Sequence, residues 1–259
     1  MGQIMKAQLY QLKRNKLNYV VFVGLVFMQC TTLLGEIGFS SKTVTAGSYV
    51  AGNGGYIMSV ALMFALMLTG SICGEDFIDK TVNYELMSGH LRKELYFGRA
   101  VLSLLIGTAG TIILNIVPIA AACIMNGWGD ELSAWEVFLR YILSVLPVLR
   151  LVCEFVFISY IVKNSYAVMA LGFVVPMAGS AWMELFKTGD LTFLGIGNLQ
   201  MLFDFTSWST YTLVGEKEIM VYDAALSTGD VAGTVLASVL IGGLFLILGY
   251  LYFEKDDLN

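Results

Sequence analysis

The residues of this chain that could do chemistry are few and gathered. Between Cys73 and Arg99 the sequence reads CGEDFIDKTVNYELMSGHLRKELYFGR. That stretch holds Glu75, Asp76, Asp79, Lys80, Glu85, Arg92, Lys93, Glu94, Arg99 and the only histidine, His90. A second polar pair, Arg150 and Glu154, lies four residues apart inside an apolar run. On a helix that spacing brings both to one face, where they can largely neutralise each other. Two readings of the pair follow: a polar lining for a transport path, or a structural pair gripping neighbouring helices.

Neither set has the composition of a reaction centre. One histidine excludes HExxH chemistry, and neither a GxSxG elbow nor a GxxxxGK[ST] phosphate loop occurs. Glu131, Glu136 and Arg140 cluster without a histidine partner. Cys30, Cys73, Cys123 and Cys153 show no CxxC spacing, so neither a zinc site nor a disulfide framework is expected. The chain reads as a non-enzyme carrying no cofactor or metal of its own, with no nucleic-acid partner.

The elements that must position these charges are membrane helices. Of 259 residues, 57% are hydrophobic and only 14% charged, and the mean hydropathy is +0.75. Ordinary soluble domains carry about 25% charged residues. Runs of about 20 apolar residues suit a bilayer core, and in lipid the backbone must pair internally. The runs do not alternate as barrel strands do. The expected fold class is an all-α membrane protein with six spans: 20–39, 56–73, 100–125, 137–162, 166–186 and 231–253. AGNGG near Gly52 falls between spans and is expected as a loop.

Lys and Arg stay on the cytoplasmic side of spans. With the N-terminus inside, Lys6, Lys13, Arg14, Lys16, Lys80, Arg92, Lys93, Arg99, Lys163 and Lys255 flank the inner ends. The expectation is a multi-pass protein of the plasma membrane with both termini cytoplasmic. Trp128, Trp135, Trp182 and Trp208 then fall at or beyond outer span ends, near the headgroups that indole rings favour.

Three further segments are expected. Residues 3–17 form a basic amphipathic elbow helix in the inner interface, with Met5, Leu9 and Leu12 on one sector. Residues 74–99 are the longest cytoplasmic connection. There Glu75, Asp76 and Asp79 suit a first helical turn, Ile78, Val82 and Leu86 make an apolar stripe, and Ser88-Gly89 stops the helix. Residues 187–230 are too aromatic for a solvated loop and are expected as a re-entrant or interfacial helical hairpin. Small residues recur every four positions at Ala61, Ala65, Thr69, Cys73 and at Ser103, Gly107, Thr111, Asn115. Such stripes allow close helix packing, within one subunit or between two.

Together these features resemble an ABC-2-type exporter permease: elbow helix, six spans, a charged two-helix connection between spans two and three, and an aromatic hairpin before span six. GEDFIDKTVNYELMSGHLRKELYFGR is similar to that family's cytoplasmic coupling element. By position the likeness falls on Glu75, Asp76, Thr81, Leu86, Gly89, Arg92 and Lys93. Chain length and short outer loops look most like permeases that export peptide antibiotics. The resemblance implies two permease subunits, identical or sister, working with two separate ATP-binding subunits. ATP and magnesium would be held on those partners, and a peptide or amphipathic compound would move outward. A secondary carrier or membrane scaffold subunit is the alternative reading.

This topology has a direct readout. Cysteines introduced near Lys13 and Asp257 should be shielded from impermeant thiol reagents in intact cells. Those near Lys42 and Glu216 should react, and labelling of both termini from outside overturns the orientation.

Overall fold

The computed structural model describes residues 2–39, 43–79, 81–185, 199, 202–203, 205, 209–214, 217–222 and 225–255. Five helices are long and apolar enough to cross a membrane: α2 (Lys16–Phe39), α3 (Ala46–Ile78), α5 (Arg92–Asn126), α6 (Ala134–Val162) and α8 (Thr228–Lys255). Two shorter helices, α1 (Gly2–Arg14) and α4 (Thr81–Met87), lie at one end of the bundle, and α7 (Ser165–Leu185) packs along α3. The protein is a helical, multi-pass membrane protein, and a lipid bilayer is its environment.

Helix α3 is the axle. Within its most apolar stretch, 89% of residues are buried inside the bundle, against 17% for α2 and for α8. It contacts α2, α5, α6 and α7, while α2 and α8 pack at the periphery with most of their surface toward lipid. At 33 and 35 residues, α3 and α5 reach about 50 Å, well beyond a hydrocarbon core of about 30 Å. Both therefore protrude, and the protruding ends carry the charged connection.

Small residues permit this packing. The two stripes mate with each other inside the chain. Cys73 Sγ lies 3.6 Å from Ser103 Oγ, a Cβ on Gly107 would meet Ala65 Cβ at 3.3 Å, and Thr111 Oγ1 reaches Ala61 O at 3.4 Å. On the other side of α3, a Cβ on Gly172 would meet Met67 N at 2.8 Å. In lipid no hydrophobic force draws apolar helices together, so backbone approach of this kind is a main source of packing energy.

Several expectations change. Gly52–Gly55 is not a loop: α3 begins at Ala46, ten residues before the expected span. Thr45 caps it in a reciprocal box with Ser48, and the first amides of the helix donate to Gly127 O (3.0 Å) and Trp128 O (2.7 Å). Tertiary contacts override the glycine penalty, since Gly47 sits against Trp128 O and Gly54 against Phe203. Helix α1 buries Ile4 and Gln8; of the expected sector Met5, Leu9 and Leu12, Met5 and Leu12 are half-buried and Leu9 is exposed.

The outer segment differs too. Residues 209–214 and 217–222 are not a helical hairpin but two antiparallel strands, β1 (Ser209–Val214) and β2 (Lys217–Tyr222), registered from Ser209↔Tyr222 to Val214↔Lys217. STYTLV and KEIMVY are rich in β-branched and aromatic residues, which favour strands. Most of the stretch before them, 186–198, lies outside the described residues.

The close-packed glycines make a contrast that thermal unfolding in detergent can read. Gly172→Ala drives a methyl into the α3 backbone and should cost about 1–3 kcal/mol, as overpacking does. Gly243→Ala, with nothing within 4 Å of the new Cβ, should leave stability unchanged or slightly raised.

Candidate coupling surface and its buried lock

The α3–α4–α5 connection is built around one side chain that the sequence places inconspicuously at a span edge. Arg99 on α5 is completely buried, and its Nη2 pairs with Asp76 Oδ2 at 2.7 Å and with Glu85 Oε2 at 2.5 Å. Asp76 ends α3 and Glu85 sits on α4, so one guanidinium ties three helices. Asp76 is itself 2% exposed and accepts further bonds from Gln8 Nε2 on α1 (2.5 Å) and Thr81 Oγ1 on α4 (2.7 Å). Buried carboxylates are tolerated only when paired and hydrogen-bonded, and Asp76 meets that condition.

Around this lock the other expected residues find places. Glu75 accepts from Asn15 Nδ2 at 3.2 Å, where the chain turns from α1 into α2. Arg92 Nη1 donates to Phe253 O (2.8 Å) and Glu254 O (3.1 Å), covering the last turn of α8, where a cation suits the helix dipole. Gly89 at φ 94° closes α4: its amide donates to Leu86 O and that of His90 to Glu85 O, the double bond of a Schellman stop. Thr81 starts α4, and Lys93 is exposed at the start of α5.

Two features run against the sequence reading. Glu75 and Asp76 belong to the last turns of α3, not the first turn of a new helix, because the apolar seam with α5 carries α3 on to Ile78. The stripe Ile78–Val82–Leu86 does not face outward as a unit. Val82 is 1% exposed and joins the main core with Ile4 and Leu95, and Leu86 packs against that cluster. The outward apolar face consists of Ile78, Tyr84, Met87 and Leu91, the last three 66–84% exposed.

Arg99, Glu85 and Gln8 were missed as a set. The usable signal was register: extending the Cys73–Ser103 pairing of the small-residue seam by one turn sets Asp76 against Arg99.

In the membrane interior, Arg150 and Glu154 form an ion pair with Nε–Oε1 3.4 Å, and the Cα of Arg150 lies against Gly242 of α8. At the end of the bundle opposite the lock, Arg140 donates to Leu202 O (2.7 Å) and Ala225 O (3.2 Å) and stacks 4.9 Å over Phe205. It fastens the outer segment to α6.

No known protein family matches the chain, and no curated protein is similar to it.

Burial pushes the Glu85 carboxyl above the usual glutamate range, although Arg99 beside it pulls the other way. The folded chain thus holds this proton to a higher pH than the unfolded chain. Between the ordinary glutamate value and the raised one, Glu85 favours folding more as pH falls. In detergent melts, Glu85→Gln should remove that pH dependence and change stability by no more than about 1 kcal/mol at neutral pH. Arg99→Leu leaves Asp76 buried and uncompensated, and should cost about 3–5 kcal/mol.

Proposed function

We propose that this chain is the membrane-spanning permease subunit of an ATP-driven exporter, and that α4 receives the force of a separate ATP-binding subunit. The carrying observation is the pairing of an exposed apolar face with a rigid brace behind it. Tyr84, Met87 and Leu91 project from the bundle end with exposed Asp79 and Lys93 at their margin, while Val82 and the Arg99 lock fix the opposite side of α4. Protein interfaces concentrate their energy in a few apolar or aromatic anchors within a polar rim. A face of that composition, carried by the seven-residue α4 and the turn that follows it to Leu91, fits a groove on a soluble partner.

Force on α4 would pass through Glu85 to Arg99 and from there to Asp76, at the end of the most buried helix. A displacement of a few ångströms at α4 would then move α3 against α5, α6 and α7. The absence of a phosphate loop in the sequence supports placing ATP and magnesium on the partner. In this reading Glu75, Asp76, Thr81, Gly89 and Arg92 serve coupling by shaping and bracing the element, and the docking contacts fall to Ile78, Tyr84, Met87, Leu91 and Lys93.

The same reading makes α7 the remaining span. Its 21 residues reach about 31 Å, the thickness of a bilayer core. Six spans put both termini on the lock side, which the excess of Lys and Arg there assigns to the cytoplasm of a plasma-membrane protein. Two such chains, identical or sister, would enclose the path for a peptide or amphipathic compound. A secondary carrier is the less favoured reading, since intramembrane charge among the described residues centres on one self-neutralising pair, Arg150 and Glu154.

The docking face can be tested apart from the fold. Replacing both Tyr84 and Met87 with Asp alters only exposed positions, so insertion and thermal stability should stay at wild-type levels. Co-purification of an ATPase should fall at least tenfold, and substrate-stimulated hydrolysis should vanish. A double variant that retains an ATPase at wild-type ratio and activity removes the support for coupling through α4.

A further inference from the structure

Toward the end of the bundle opposite the lock, α5 and α6 flank a cavity of about 560 Å³. That is within the range of ligand pockets, which are mostly apolar with a few placed polar groups. Its walls are Ile112, Ile116, Ile119, Val137, Phe138 and Val148, and it opens sideways past the exposed Ile112, Ile116 and Phe138 toward lipid. Asn115 also lines it. Its Nδ2 is committed to Thr111 O at 2.7 Å, while its Oδ1 has no partner although the residue is 2% exposed.

The cavity runs along α5 from Thr108 to Cys123, about 22 Å. Thr108 lies nine residues beyond Arg99, about 13 Å into a core of about 30 Å, so the inner end stops near the bilayer midplane. The other end reaches Trp128, whose ring is fixed by Nε1 donating to Leu132 O at 2.5 Å. The cavity therefore spans one leaflet, from headgroup level to midplane.

Trp128 and Ala134 are shared with a second, more polar pocket beyond the cavity mouth. That pocket is lined by Asp130, Ser133 and Glu136 and by Tyr222 of β2, with no lysine or arginine among its described lining. Arg140, one turn further along α6, is turned to the carbonyls of Leu202 and Ala225.

An apolar slot one leaflet deep, adjoining an acidic pocket across Trp128 and Ala134, has the shape and charge of one kind of ligand. The geometry points to a binding site for a single-chain cationic amphiphile, taken sideways from the leaflet on the Trp128 side. The alkyl chain lies between α5 and α6, and the cationic headgroup meets Asp130 and Glu136. This site does not rest on the exporter reading, because it is formed within one chain and needs no ATPase.

The test uses the full chain with Trp135, Trp182 and Trp208 replaced by Phe, in phosphatidylcholine nanodiscs, so that Trp128 alone reports. Dodecylamine, dodecyl sulfate and dodecyl maltoside, each brominated close to the headgroup, serve as quenchers. Quenching by the amine should saturate, at a concentration about three- to tenfold below that for the sulfate. Asp130→Asn with Glu136→Gln should abolish that preference while leaving chain-dependent quenching. Ala120→Phe, which fills the slot from an exposed position, should abolish saturation for all three probes. Quenching that rises without saturation and equally for all three probes overturns the site, as does a preference that survives the charge-neutral variant or saturation that survives Ala120→Phe.

Discussion

Arg99 is the constraint on which the rest of the structure turns. A guanidinium cannot shed its proton inside a protein, so complete burial obliges the fold to bring carboxylates to it. Asp76 and Glu85 answer from two different helices, and Asp76 in turn draws Gln8 from α1 and Thr81 from α4. Four helices thus meet because one charge must be compensated. Removing Arg99 would leave Asp76 buried without its counter-charge, a cost that adds to the close packing of the small-residue seam.

That lock explains why so short a helix as α4 is held at all. Seven residues lie well below the length at which an isolated helix is stable in water. It persists through its Schellman stop at Gly89, the buried Val82 and the Glu85–Arg99 pair. An element fixed on one side and apolar on the other is suited to transmitting a push. A flexible loop carrying the same charges would absorb the displacement before it reached α3.

Much of the architecture was legible because the bilayer imposes simple rules. Long apolar runs located the five long helices, and the four-residue spacing of small side chains marked the α3–α5 seam, leaving open only whether its partner lay in the same subunit. The glycines of AGNGG misled, since their intrinsic penalty suggested a loop while contacts with Trp128 and Phe203 made a buried helix of them. The strands at 209–222 were hidden by a reading tuned to hydropathy, although their β-branched and aromatic content was present. At the α3–α4–α5 connection, the turn at Gly89 is written locally and is legible in Ser88-Gly89. Which side of Val82 and Leu86 faced the core was not, because an isolated apolar stripe does not say whether it meets its own protein or another.

The two ends of the bundle are built on opposite principles, and this separates their tasks. At the lock end, buried charge joins helices through one ion cluster, so movement of any member is felt by all. At the other end, main-chain bonds stitch the α5–α6 connection to the start of α3, and Tyr222 N donates to Glu131 O. Beside those stitches α5 and α6 line the apolar cavity, and Pro118 and Pro147 each remove a backbone donor within their helices. Helix α3 runs through both ends and is nearly sealed over its most apolar stretch. Along the rest of its length α3 packs against α2, α5, α6 and α7. Two of those helices, α5 and α6, form the slot beside Asn115. The axle thus supplies Asp76 to the charged end and Met58 to the wall of the apolar slot, and the two have no residue in common.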